Sequence, residues 1–254
     1  MFPIRDDNPS IHTSFATFTI IGLNVICWIW LQGMGMNPQL AESICRFGLI
    51  PGELLGYLKP GTDIYMGSGL ACIVPGKPNL LTPLTSMFMH GGWLHIIFNM
   101  WFLSLFGDNV EDAMGYVRFI IFYLLCGFGA VAGQLLASPT SALPLVGASG
   151  AIGGVMGAYA LLYPKAHVHM LVFLGFFFFR VVVPAYFMLG YWFLLQVISA
   201  MSSIDSKAGG VAFAAHVGGF LTGIVLVKFF CNPRRAAACR GKRGRVTKFV
   251  QRVR

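Results

Sequence analysis

Gly147-Ala148-Ser149-Gly150-Ala151-Ile152-Gly153-Gly154-Val155-Met156-Gly157 opens an apolar stretch that runs on to residue 163. Two further polar islands lie on other apolar stretches, His90-Gly-Gly-Trp-Leu-His95-Ile-Ile-Phe-Asn99 and Ala215-His216-Val-Gly-Gly219. An unsatisfied polar group in hydrocarbon costs several kcal/mol, so a serine, three histidines and an asparagine on such segments mark a functional site. Ser149, Gly153 and Gly157 recur at every fourth residue, as do Ala215, Gly219 and Gly223 beside His216. Each set forms a smooth helical ridge, and small residues let two helix backbones approach closely. The pairing predicted is Ser149 with His216.

The chain around this segment is 56% hydrophobic and 11% charged over 254 residues, against about 25% charged in soluble domains. Runs long enough to cross about 30 Å of hydrocarbon fall at 15–34, 93–113, 115–137, 147–163, 184–202 and 211–230. The fold expected is an all-α polytopic bundle of six transmembrane helices. From Lys228 to Arg254 there are ten Lys/Arg and no acid, so the net charge of +9 belongs to the tail. Directly behind a span, such a tail meets anionic headgroups and follows the positive-inside rule rather than binding nucleic acid. Both termini are therefore expected in the cytoplasm, with the chain in the inner cell membrane. The first apolar run lacks a cleavage site and is expected to be retained as a helix.

Three parts follow: a cytoplasmic segment 1–14, a helical domain 15–230, and the basic tail 231–254. Segment 35–92 lies outside the membrane in this topology, and the stretch Ala41–Ile50 within it reads as a short helix ended by Gly48 and Pro51. Cys45 and Cys72 are the thiols of this outer loop, where a disulfide is permitted; a bridge and two unpaired thiols both fit. The run 167–183 is apolar enough for a seventh span, but an odd count would put the tail outside. Its β-branched and aromatic halves around Leu174-Gly175-Phe176 suit a hairpin at the inner interface.

His95 and Asn99, at i and i+4, share one helical face, and His90 precedes the helix. No acid lies near them, and the six cysteines show no Cys-x-x-Cys pair, so the residues do not make a metal site. A serine hydroxyl becomes a nucleophile when a neutral histidine takes its proton. Ser149 and His216 supply that pair. The Asn99 amide, the His95 ring and the Ser149 backbone N–H are candidate donors to an oxyanion. No carboxylate is available to orient His216, so a dyad is expected.

The ordered motifs His90-Gly-Gly-x-x-His95-x-x-x-Asn99, Gly107-x-x-x-Glu111-x-x-x-Gly115, Gly147-Ala-Ser149-Gly150 and Ala215-His216-x-Gly-Gly219 resemble those of the rhomboid intramembrane serine proteases. The opening Arg5-Asp6-Asp7-Asn8-Pro9 and the long outer loop look like bacterial members. The resemblance implies nucleophile Ser149, base His216, oxyanion donors His95 and Asn99, and supporting roles for His90, Gly147 and Gly150. It implies no cofactor, and substrates that are transmembrane proteins cut near the outer face. Two departures stand out. The Trp-Arg dipeptide of the first loop is absent, and Gly153 stands where some members carry an aromatic that supports the histidine. An aromatic from another helix is expected to take that place.

The remaining polar and aromatic residues have plainer readings. Glu111, beside Asp108 and Asp112, reads as a solvated or packing carboxylate; His167 and His169 as interfacial; Phe176–Phe179 as core or lipid-facing; the five Trp as interfacial anchors. Segment Ser203–Gly210 and the fifth helix are candidates for a substrate gate hinged at Gly209-Gly210. The alternative function is a catalytically silent rhomboid-like protein that binds transmembrane helices. A transporter would instead string ionisable groups along a through-path.

Overall fold

The computed structural model describes residues 2–65, 71–75, 77–174, 177–203, 212–232 and 234–235. Most of the basic tail, the Gly175-Phe176 turn and the Gly209-Gly210 hinge lie outside the described residues. Helices occupy all six apolar runs: α1 (Phe15–Ile26, extended by a π-helical turn at Cys27–Leu31), α5 (Trp93–Met114), α6 (Tyr116–Ala137), α7 (Ser149–Leu162), α8 (Ala185–Ser203) and α9 (Phe213–Phe230). Among the described residues, α6, α8 and α9 are long and apolar enough to cross a membrane by length and composition. Segment 35–92 folds into α2 (Gln39–Phe47), α3 (Pro51–Leu54), the antiparallel pair β2 (Asp63–Tyr65) and β3 (Ala71–Ile73), and α4 (Thr82–Thr85). α2 stops at Gly48 as its sequence indicates, and Cys45 of α2 is disulfide-bonded to Cys72 of β3. Ile50, Ile64, Cys72 and Val74 form a small core of their own there.

The helical class acquires a sheet that an all-α reading omits. β1 (Phe2–Asp6), β4 (His167–Leu174) and β5 (Phe177–Pro184) form an antiparallel sheet in the order β1-β4-β5. The run 167–183 is thus a hairpin, and its β-branched residues occupy extended backbone in which their χ1 restriction is tolerated. β1 covers one edge of β4, pairing Phe2 with Leu171 and Asp6 with Val168, so residues 2–6 pack into the folded unit. His169 Nε2 lies 2.8 Å from Asp7 Oδ1, across this sheet. Phe177, Phe178 and Phe179 of β5 are exposed.

The first helix is clasped at both ends. At its start, where four backbone N–H groups lack intrahelical partners, the carboxylate of Glu111 accepts the N–H groups of Ala16 and Thr17 at 2.9 and 2.8 Å. Glu111 is buried, so it is a capping group rather than a solvated acid. Beyond the π turn, Gln32 donates Nε2–H to the His90 carbonyl at 2.7 Å and accepts the His90 N–H at 2.8 Å. α5 is therefore fixed against α1 at both levels. Gly115, at φ +87, makes the reversal from α5 to α6 that a side chain would strain.

α9 packs between α6 and α7 at glycine-to-backbone distance. A Cβ on Gly219 would run into the Gly150 carbonyl, and one on Gly223 into the Gly154 carbonyl. A Cβ on Gly153 would meet the His216 carbonyl at 3.2 Å. The smooth face of α7 is thus broader than the Ser149-Gly153-Gly157 ridge, and its tightest contacts come from Gly150 and Gly154. On the other side of α9, a Cβ on Gly133 of α6 would meet the Ala214 carbonyl at 2.8 Å. This approach sets the register of α9 against α7, and with it the distance between Ser149 and His216.

Candidate active site

Ser149 is the first residue of α7, and His216 sits one turn into α9. With the two backbones in contact, His216 Nε2 lies 2.8 Å from Ser149 Oγ. The pair predicted from the ridges is hydrogen-bonded. On its far side, His216 Nδ1 lies 2.8 Å from Gln196 Oε1 on α8. The Trp192 ring, one turn earlier on α8, stands 5.9 Å from the imidazole at an interplanar angle of 34°. A Cβ on Gly153 would have Trp192 Cη2 at 3.8 Å. Trp192 therefore takes the place left open at Gly153, as expected of an aromatic from another helix. Trp28 departs from the interfacial reading: it is buried and packs edge-on against Trp93.

His95 lies opposite. The Gly91 N–H donates to His95 Nδ1 at 3.2 Å, so the neutral ring carries its proton on Nε2. A Cβ on Gly147 would come within 2.7 Å of that Nε2. Gly147, at φ +125, thus permits both the turn into α7 and the close approach of the His95 ring. Its N–H donates to the Ser86 carbonyl at 2.9 Å, fixing the loop before the serine. Asn99 Nδ2 donates one hydrogen to the His95 carbonyl at 2.8 Å, and an amide nitrogen has a second to give. His90 is fully buried, edge-on to His95 at 5.2 Å between ring centroids. It shapes the His95 wall and does not line the cavity.

The five side chains sequence reasoning selected fall into one assembly. Ser149, His216, His95 and Asn99 line a single cavity of about 580 Å³, and His90 backs it. The rest of the lining is largely apolar, with Met87, Phe98 and Pro144 among its walls. Gly150 closes one side, where a Cβ would collide with Ala130 of α6. A hydroxyl hydrogen-bonded to an imidazole, with N–H donors around an apolar cavity, is an arrangement that suits acyl transfer. Gln196 is the residue sequence reasoning missed; its one signal is an amide on the otherwise apolar face of α8.

The Rhomboid domain family model matches residues 77–233, more than half of the chain and every helix and loop that lines the cavity. The chain belongs to the rhomboid family. Its relatives include the RHOMBOID-like protein 6, mitochondrial, of Arabidopsis thaliana, 31% identical in an alignment that covers 58% of this chain and 50% of the relative. Rhomboid protein 1, mitochondrial, of Saccharomyces cerevisiae is 31% identical over 55% of this chain and 39% of its own length. Rhomboid protease GluP of Bacillus subtilis is 34% identical over 55% of this chain and 26% of its own length. This rhomboid spans half or less of those curated relatives, which are bacterial and eukaryotic alike. The rhomboid domain is a polytopic helical membrane fold, and the apolar helices α6, α8 and α9 agree with it.

Proposed function

We propose that this rhomboid is an intramembrane serine endopeptidase that cleaves transmembrane segments of membrane proteins. The observation that carries the reading is the 2.8 Å contact between Ser149 Oγ and His216 Nε2 across two helices packed glycine to backbone. In the proposed reaction, His216 Nε2 takes the Ser149 proton as Oγ attacks the scissile carbonyl, and the oxyanion forms near His95 Nε2–H, Asn99 and the Ser149 N–H. The imidazolium then protonates the leaving amine, and water, deprotonated by His216, releases the acyl group from Ser149.

Six membrane crossings with both termini on the cytoplasmic side, in an inner cell membrane, complete the proposal. The ten basic residues from Lys228 onward support that orientation. In it, segment 35–92 with its disulfide is extracytoplasmic, the sheet β1-β4-β5 lies at the inner interface, and Ser149 sits below the outer surface within reach of water.

The test is cleavage of a single-span reporter by wild type and Ser149→Ala side by side in proteoliposomes, with labelling by a fluorophosphonate. Product and label with wild type alone establish protease and nucleophile together. A folded wild type that yields neither overturns the reading in favour of a silent helix-binding protein.

A further inference from the structure

We infer that Gln196 is a positioning residue that sets the tautomer and ring orientation of His216 within the Ser149-His216 pair. The inference rests on the protease reading above. A neutral imidazole has one N–H and one bare nitrogen. For Nε2 to accept the Ser149 proton, the ring hydrogen must sit on Nδ1, and a buried N–H there needs an acceptor. Gln196 Oε1, 2.8 Å from Nδ1, is that acceptor.

The placement follows from α8 itself. Within Ala185–Ser203, Gln196 is the one amide side chain, and it is half-buried in an apolar helix where an unpaired amide would be costly. Trp192 and Gln196, at i and i+4, share a face, and that face holds His216 by a ring contact at 5.9 Å and a hydrogen bond at 2.8 Å. Two side chains of one helix thus fix the base in rotation and in tautomer.

Gln196→Met keeps the length of the side chain and removes the acceptor; Gln196→Glu keeps the acceptor. In proteoliposomes, Q196M is expected to lower kcat about ten-fold with KM unchanged, the size of one lost hydrogen bond, and to slow fluorophosphonate labelling of Ser149 by the same factor. Q196E is expected to restore both. In protein labelled with 15N-histidine, the His216 ring is expected to show the Nδ1–H tautomer in wild type and a mixture in Q196M. Wild-type kcat in Q196M, a loss confined to KM, a loss that Q196E does not restore, or an unchanged tautomer overturns the positioning role while leaving the Ser149–His216 reaction intact. A folded wild type that neither cleaves nor labels overturns both.

Discussion

Glu111 and Thr17 are joined twice: one carboxylate oxygen of Glu111 accepts both the backbone N–H and the hydroxyl of Thr17, each at 2.8 Å. The other oxygen takes the Ala16 N–H, so one buried acid replaces the N-cap that Ser14 does not provide. Removing the acid strands two helix-start N–H groups and a hydroxyl. Glu111→Ala is expected to cost about 2–4 kcal/mol, read as a lower midpoint of thermal unfolding in detergent. Glu111→Gln, which keeps one acceptor, is expected to cost less than half as much.

His95 presents Nε2–H beside Gly147 because its Nδ1 is occupied by the Gly91 N–H. In the proposed reaction it would donate to the oxyanion of the transition state and not to bound substrate. His95→Ala is expected to lower kcat about 100-fold or more, as loss of one such donor costs roughly 3–4 kcal/mol, with KM nearly unchanged in a reporter cleavage assay. A change confined to KM would remove His95 from the oxyanion site.

At Gly219 even a methyl group would enter the Gly150 carbonyl. Gly219→Ala is expected to push α9 away from α7, at about 1–3 kcal/mol of stability, and to open the Ser149–His216 contact. The signature is loss of fluorophosphonate labelling in protein that still folds. A Cβ added at Gly190 on α8 would meet nothing within 4 Å, so Gly190→Ala is the matched control and is expected to label normally.

Asp6, on β1, has its carboxyl pushed up to about 7 from 3.8, by burial first, with Asp108 adding to it and the hydrogen bond from Tyr159 opposing it. The folded state then holds a proton that the unfolded chain has lost between pH 4 and 7, so stability falls as pH rises through that window. Asp6→Asn is expected to flatten this slope, measured as the unfolding midpoint at pH 4, 5.5 and 7. An unchanged slope would assign the dependence to another group.

How much of the fold is legible in the sequence differs by element. The six helices are readable because each is a long, predominantly apolar run, and the α2 stop at Gly48 and the 167–183 hairpin because turn chemistry and β-branching are local. Ser149 and His216 are readable because small residues at every fourth position forecast close approach, although Gly150 and Gly154 make the nearest contacts. β1 is not readable, since five residues that include Pro3 and two charges carry no strand pattern of their own; β4 supplies the hydrogen bonds that make them a strand.

The sequence by itself determined which segments are apolar helices, which residue types stand on them, and the order of the four motifs. Hydrophobic run length and i, i+4 spacing are properties of neighbours along the chain. Only the tertiary structure decided that Glu111 caps α1, that Gln32 ties α1 to His90, and that Gln196 and Trp192 face His216. Those relations depend on the rotation and register of one helix against another, which have no trace in the spacing of the residues they bring together.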